Sequence, residues 1–178
     1  MTEEIKKKRV NSKGKGSGFE NKVAKILGIA LAPMKFIRTQ GSGARVGGKN
    51  FSTTGQLFSQ ESLGLFVGDV VPVNVSECQF TFRFIVECKA YKDPDKLEAL
   101  FGASNIYKWV NEVLDDCQKV NKEGIVIFKW NNTPIYAAVS HHIELPIGIN
   151  FITLTNGIKV CHLDKLLEHQ GFWLEAKF

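Results

Sequence analysis

The apolar positions of the chain follow two periodicities, and their alternation sets the expected order of elements. Phe19, Val23, Ile26 and Leu27 recur at helical spacing and make one buried stripe reaching about Leu31, after which Pro33 marks a stop. Ser17-Gly18-Phe19-Glu20 has the capping-box pattern, in which a serine and a glutamate satisfy each other's free backbone N–H groups. Order is therefore expected to begin at Ser17. Residues 36–39 predict a short strand, and residues 65–75 and 81–90 two longer ones. The last is the clearest: Phe82, Phe84, Val86 and Cys88 alternate to one face, and Arg83, Ile85, Glu87 and Lys89 to the other. A helix is expected over residues 96–120, with Leu97, Leu100, Phe101, Val110, Val113 and Leu114 as its apolar stripe. Strands over 125–130 and 135–140 follow, joined by a turn at Asn131-Asn132-Thr133-Pro134. A hairpin pairs 151–155 with 158–162 around Asn156-Gly157, and a short helix covers 163–169. Helix, strands, helix, strands, helix is the order of an α/β protein, a mixed sheet flanked by helices.

Composition narrows this without changing it. A chain of 178 residues, 44% hydrophobic and 23% charged, has room for one domain with a genuine core. No apolar run approaches the roughly 18 residues of a membrane span, and no signal-type stretch follows the charged first residues, so a cytoplasmic protein is expected. Cys78, Cys88, Cys117 and Cys161 lack any zinc-type spacing and read as four reduced thiols.

The net charge of +5 permits an anionic partner, and its distribution says more than its total. Lys6, Lys7, Lys8, Arg9, Lys13 and Lys15 crowd a glycine- and serine-containing stretch without apolar periodicity. Residues 1–16 thus read as a flexible basic tail ahead of a single domain over 17–178. Such a tail either meets an anionic partner or keeps the chain in solution. Residues 46–63 are polar and glycine-rich, a long excursion of the kind that is functional or mobile in a compact domain.

Glu87 and Lys89 project from the same face of the clearest strand. Two readings fit them: a solvated face of little energetic interest, or an anionic metal ligand beside a cation at the edge of a cleft. Asp69, behind Gly68 in the neighbouring strand, comes beside Glu87 if the two strands pair. Carboxylates that close repel unless a divalent cation lies between them, and hard oxygen ligands suit Mg²⁺ or Mn²⁺.

Glu20, then Gly68-Asp69, then Glu87-Cys88-Lys89 on a strand resembles the PD-(D/E)xK nuclease superfamily, with Gly68 where a proline is usual. Phe19-Glu20, Arg38 leading into Gly41-Ser42-Gly43, and Asp69-Val70 before Val86-Glu87-Cys88-Lys89 further resemble archaeal-type Holliday junction resolvases and related phage nucleases. The resemblance implies a restriction-endonuclease-like α/β/α core and a Mg²⁺-dependent endonuclease acting on DNA, on four-way junctions or other branched forms, as a homodimer. Asp69, Glu87 and the backbone carbonyl of Cys88 would hold the metal, with Mn²⁺ able to substitute. Glu20 would assist directly or through water, unless the capping box alone explains it. Lys89 would orient or deprotonate the attacking water.

Lys6, Lys7, Lys8, Arg9, Lys13, Lys15, Arg38, Ser42 and Arg45 are the expected DNA contacts. Phe51, Leu57, Phe58 or Phe66 are candidates for a dimer contact. Glu112 and Gln118 lie on the long helix, where the resemblance allows an extra polar active-site residue, but read as a solvated face; His141-His142 read as structural, and Trp109, Trp130 and Trp173 as core or interface residues. A different nuclease of the same superfamily and a catalytically silent DNA-binding protein are the competing readings.

Overall fold

The computed structural model describes residues 12–39, 67–94 and 104–177. Lys6, Lys7, Lys8, Arg9, Ser42, Arg45, the 46–63 excursion, the four phenylalanine and leucine dimer candidates and the first part of the 96–120 helix lie outside the described residues.

Helix α1 spans Ser12–Ala30. It starts earlier than the sequence pattern predicts, which corrects the capping box. Ser17 lies in the helix interior, with its hydroxyl 3.4 Å from the Gly14 carbonyl, and the Glu20 carboxylate is taken up by Arg38. Three glycines made this stretch look like tail, yet extending an existing helix costs far less than nucleating one, and Phe19, Val23 and Leu27 anchor it in the core. Lys13 and Lys15 therefore belong to a helix.

Strands β1 (Phe36–Arg38) and β2 (Val70–Pro72) pair antiparallel. The long strand expected over 65–75 shrinks to β2, and a 3-10 turn at Val75–Glu77 follows it. The expected strand over 81–90 is broken at Arg83 into β3 (Phe80–Phe82) and β4 (Phe84–Ala90). Helix α2 (Asn105–Val120), capped by Ser104 accepting from the Tyr107 N–H, carries the chain to β5 (Glu123–Lys129), parallel to β4. Strands β6 (Tyr136–Val139), β7 (Phe151–Thr153) and β8 (Lys159–His162) complete a seven-stranded mixed sheet in the order β1-β2-β4-β5-β6-β8-β7. Short helices α3 (Leu163–Leu167) and α4 (Gln170–Trp173) lead to β9 (Leu174–Ala176), which pairs with β3. No periodicity in the sequence marks α4 or β9.

Both faces of the sheet are covered. Phe84, Val86 and Cys88 of β4 and Ile125 and Ile127 of β5 pack against α1 and the buried Trp173. Ile85, Val126 and Phe128 pack against Trp109, Val110 and Val113 of α2. The alternation read along β4 is therefore real, but its second face is buried under α2 up to Ile85 and turns polar only at Glu87 and Lys89. Gly124 lets α2 approach β5 closely: a Cβ there would lie 2.9 Å from both Val113 Cγ1 and Cys117 Sγ. All four cysteines are buried and free. No helix among the described residues is long and apolar enough to cross a membrane. The result is a restriction-endonuclease-like α/β/α sandwich.

Candidate active site

The chain approaches Asp69 through Gly68, whose φ of +96° is open to glycine and closed to proline. A Cβ at Gly68 would lie 3.0 Å from both Ile85 Cγ2 and the Val86 carbonyl oxygen. The glycine in place of the superfamily's usual proline thus has a local cause: the backbone turns here against β4. The Asp69 N–H donates to Val86 O at 2.7 Å, and its carbonyl accepts from the Thr39 N–H at 2.9 Å. Its carboxylate accepts from the Cys88 N–H at 2.8 Å. Asp69 is fixed against β4 at the level of the Glu-x-Lys segment.

Glu87 and Lys89 leave β4 on the α2 side, with Lys89 Nζ 2.9 Å from Glu87 Oε1. Burial and then the neighbouring Asp69 charge push the Glu87 carboxyl up to about 7, against the opposing pull of Lys89. Burial alone would lower the Lys89 ammonium. Glu87 and Glu112 outweigh it, so the net shift is upward and Lys89 stays a cation. Burial also pushes the Cys88 thiol well up, with Asp69 and Glu87 adding to the effect. That side chain is packed in the core on the opposite face, as expected.

Glu112 is the residue the sequence reading undervalued. From α2 it accepts from Lys89 Nζ at 3.0 Å, closing a Glu87–Lys89–Glu112 chain of charges, while Gln118 is exposed. Only the register of α2 against β4 puts it there, although its place on the helix after the Glu-x-Lys strand was the available signal. Glu112→Gln should lower kcat about tenfold or more by freeing the Lys89 head, with little change in KM. A loss confined to KM in steady-state kinetics would make Glu112 a DNA contact instead.

Glu20 and Arg38 form an ion pair that ties α1 to β1, where Arg38 lies opposite Val70, the residue after Asp69. Lys15 is exposed on α1. His141 and His142 are exposed beyond β6, and Trp109 and Trp173 are core residues.

Among the described residues no three His, Cys, Asp or Glu side chains converge as a ready-made cation site. The available donor set is two carboxylates and the Cys88 carbonyl. It fits a hard divalent cation because the mutual repulsion of Asp69 and Glu87 is what such an ion relieves.

An aspartate fixed beside a Glu-x-Lys strand, in an α/β/α core, defines a nuclease of the PD-(D/E)xK class. The family model described as "Phage putative PDDEXK endonuclease" matches residues 11–160, and the chain belongs to that family. Neither the curated proteins nor the solved structures give a significant match. Nucleases of this class generally depend on a divalent metal.

Proposed function

We propose that the protein is a Mg²⁺-dependent, structure-selective DNA endonuclease that cuts four-way junctions and related branched DNA as a homodimer. The observation that carries the chemistry is the Asp69–Glu87 pair, whose carboxylates repel each other beside the Lys89 ammonium. Asp69, Glu87 and the Cys88 carbonyl would hold Mg²⁺, or Mn²⁺ in its place. When bound, the cation supplies charge neutralisation at the scissile phosphate and a water of lowered pKa. Lys89, held as an ammonium by two glutamates, orients that water and offsets charge building on the phosphorus oxygens. Its upward shift favours this role over that of a base. Hydrolysis adds water across the P–O3′ bond, leaving a 5′-phosphate and a 3′-hydroxyl. Glu20 acts through Arg38, holding it near the scissile strand. Lys6, Lys7, Lys8, Arg9, Lys13, Lys15, Arg38, Ser42 and Arg45 contact the DNA backbone.

The junction preference rests on the resemblance to resolvases in Phe19-Glu20 and from Arg38 to Gly43. It agrees with the need for two opposed cuts, which a two-fold dimer of single-site subunits supplies. Incubation with Mg²⁺ and labelled junctions, flaps, duplexes and single strands tests it. Junctions should be cut faster than matched linear duplex, and analytical ultracentrifugation should give a dimer. A monomer that cuts linear duplex equally well would make the protein a general nuclease of the same family.

A further inference from the structure

Strands β4 and β5 stay zipped beyond their ends, where the Tyr91 N–H donates to Lys129 O at 3.1 Å and the Asn131 N–H to Lys92 O at 3.2 Å. On the α1 side of this rigid end lies a cavity of about 300 Å³, lined by Lys15, Lys22, Lys129, Tyr91, Asn131 and Phe19 among others. Lys15 and Lys22 lie two turns apart on α1 and so share one face of it. Lys129 comes from β5, and its Nζ sits 5.9 Å from the centroid of the buried Phe19 ring. The described lining has three lysines and no acidic residue. A concavity with charge of one sign suits an anion. Asn131 and Tyr91, from the zipped ends of β4 and β5, complete the lining.

Ala90, which also lines the cavity, directly follows Lys89. Glu87 and Lys89 face α2, whereas Ala90 and Lys129 face α1, so the cavity and the candidate active site flank the same end of β4. We infer that this cavity is a second phosphate site, taking a backbone phosphodiester of the DNA near the one that is cut. Lys22, Lys129 and Asn131 are contacts that the basic tail does not provide. The inference rests on the nuclease reading for its choice of DNA as ligand.

The test is fluorescence anisotropy with labelled duplex and four-way junction, kept intact by EDTA, over a salt series. Two variants of the full chain are compared with the wild type. Lys22→Gln with Lys129→Gln removes two of the cations. Gly18→Glu puts a carboxylate at the cavity wall: a Cβ there meets nothing within 4 Å, and glutamate is the better helix former, so the fold is retained. Both variants should bind about tenfold more weakly, and the salt dependence should flatten by about 0.9 in log–log slope, one phosphate's share. Wild-type affinity and slope in both variants would overturn the site. If inorganic phosphate, titrated calorimetrically, binds the wild type as tightly as DNA does and is lost in both variants, the cavity takes free phosphate and the DNA assignment is overturned. A wild type that binds with this lysine dependence but cuts nothing in Mg²⁺ or Mn²⁺ would end the nuclease reading and leave the cavity standing.

Discussion

Asp69→Asn and Glu87→Gln should each lower single-turnover DNA cleavage by about a thousandfold or more, while DNA binding persists. Both substitutions keep shape and remove charge. An asparagine at position 69 still offers a carbonyl oxygen to the Cys88 N–H, now 2.8 Å from the carboxylate, so the junction of β2 and β4 should survive. What disappears is half of the anionic pair proposed to hold the cation. Lys89→Ala should be similarly damaging, because it removes the ammonium between Glu87 and Glu112. Cys88→Ala, by contrast, changes only a core contact and should cost about 1 kcal/mol of stability with cleavage retained. Circular dichroism separates loss of activity from loss of fold. Full turnover by the Glu87→Gln protein would remove Glu87 from the site.

The second large effect is a pH-dependent coupling between metal and stability. In the metal-free protein the Glu87 carboxyl sits at about 7 against an ordinary 4.5, so the folded state holds a proton that the unfolded chain has released. Stability should therefore fall as pH rises from about 4.5 to about 7 and level off above, by up to about 3 kcal/mol. The cation proposed to bind here would need the carboxylate and compete with that proton. Mg²⁺ should accordingly raise the thermal midpoint at pH 8, by roughly 5–10 °C when saturating, and much less at pH 5.5. In EDTA at pH 8 the Glu87→Gln protein should melt above the wild type and gain little from Mg²⁺. Midpoints that respond to Mg²⁺ equally at both pH values, or equally in the variant, would place the ion elsewhere.

The parts of this arrangement that were legible in the sequence are those set by local period. The alternation along β4 puts Val86 and Cys88 on the face opposite Glu87 and Lys89, because neighbouring side chains on a strand must point to opposite faces. The glycine before Asp69 is a local signal too, since it reports a backbone geometry denied to other residues. Glu112 was not legible in this way. On its own helix it looks like any polar residue, and only the crossover between two parallel strands brings it over Lys89. The start of α1 was misread for a related reason. Gly14, Gly16 and Gly18 lower helix propensity, but packing of Phe19 and Val23 on the sheet decides the outcome. Strand β9 forms because β3 offers it an edge near the buried Trp173, a partner more than ninety residues away in sequence to which no local pattern points.

Gly124 gives this dependence on distant packing its sharpest form. Val113, which a methyl group at Gly124 would strike at 2.9 Å, follows Glu112 directly on α2. Thickening the sheet by one carbon would lift the helix by a few tenths of an ångström and draw Glu112 away from the ammonium it holds at 3.0 Å. The glycine thus works as a shim of zero thickness. It carries no functional group of its own, yet it sets the clearance between two layers, and through that clearance the reach of a carboxylate toward Lys89.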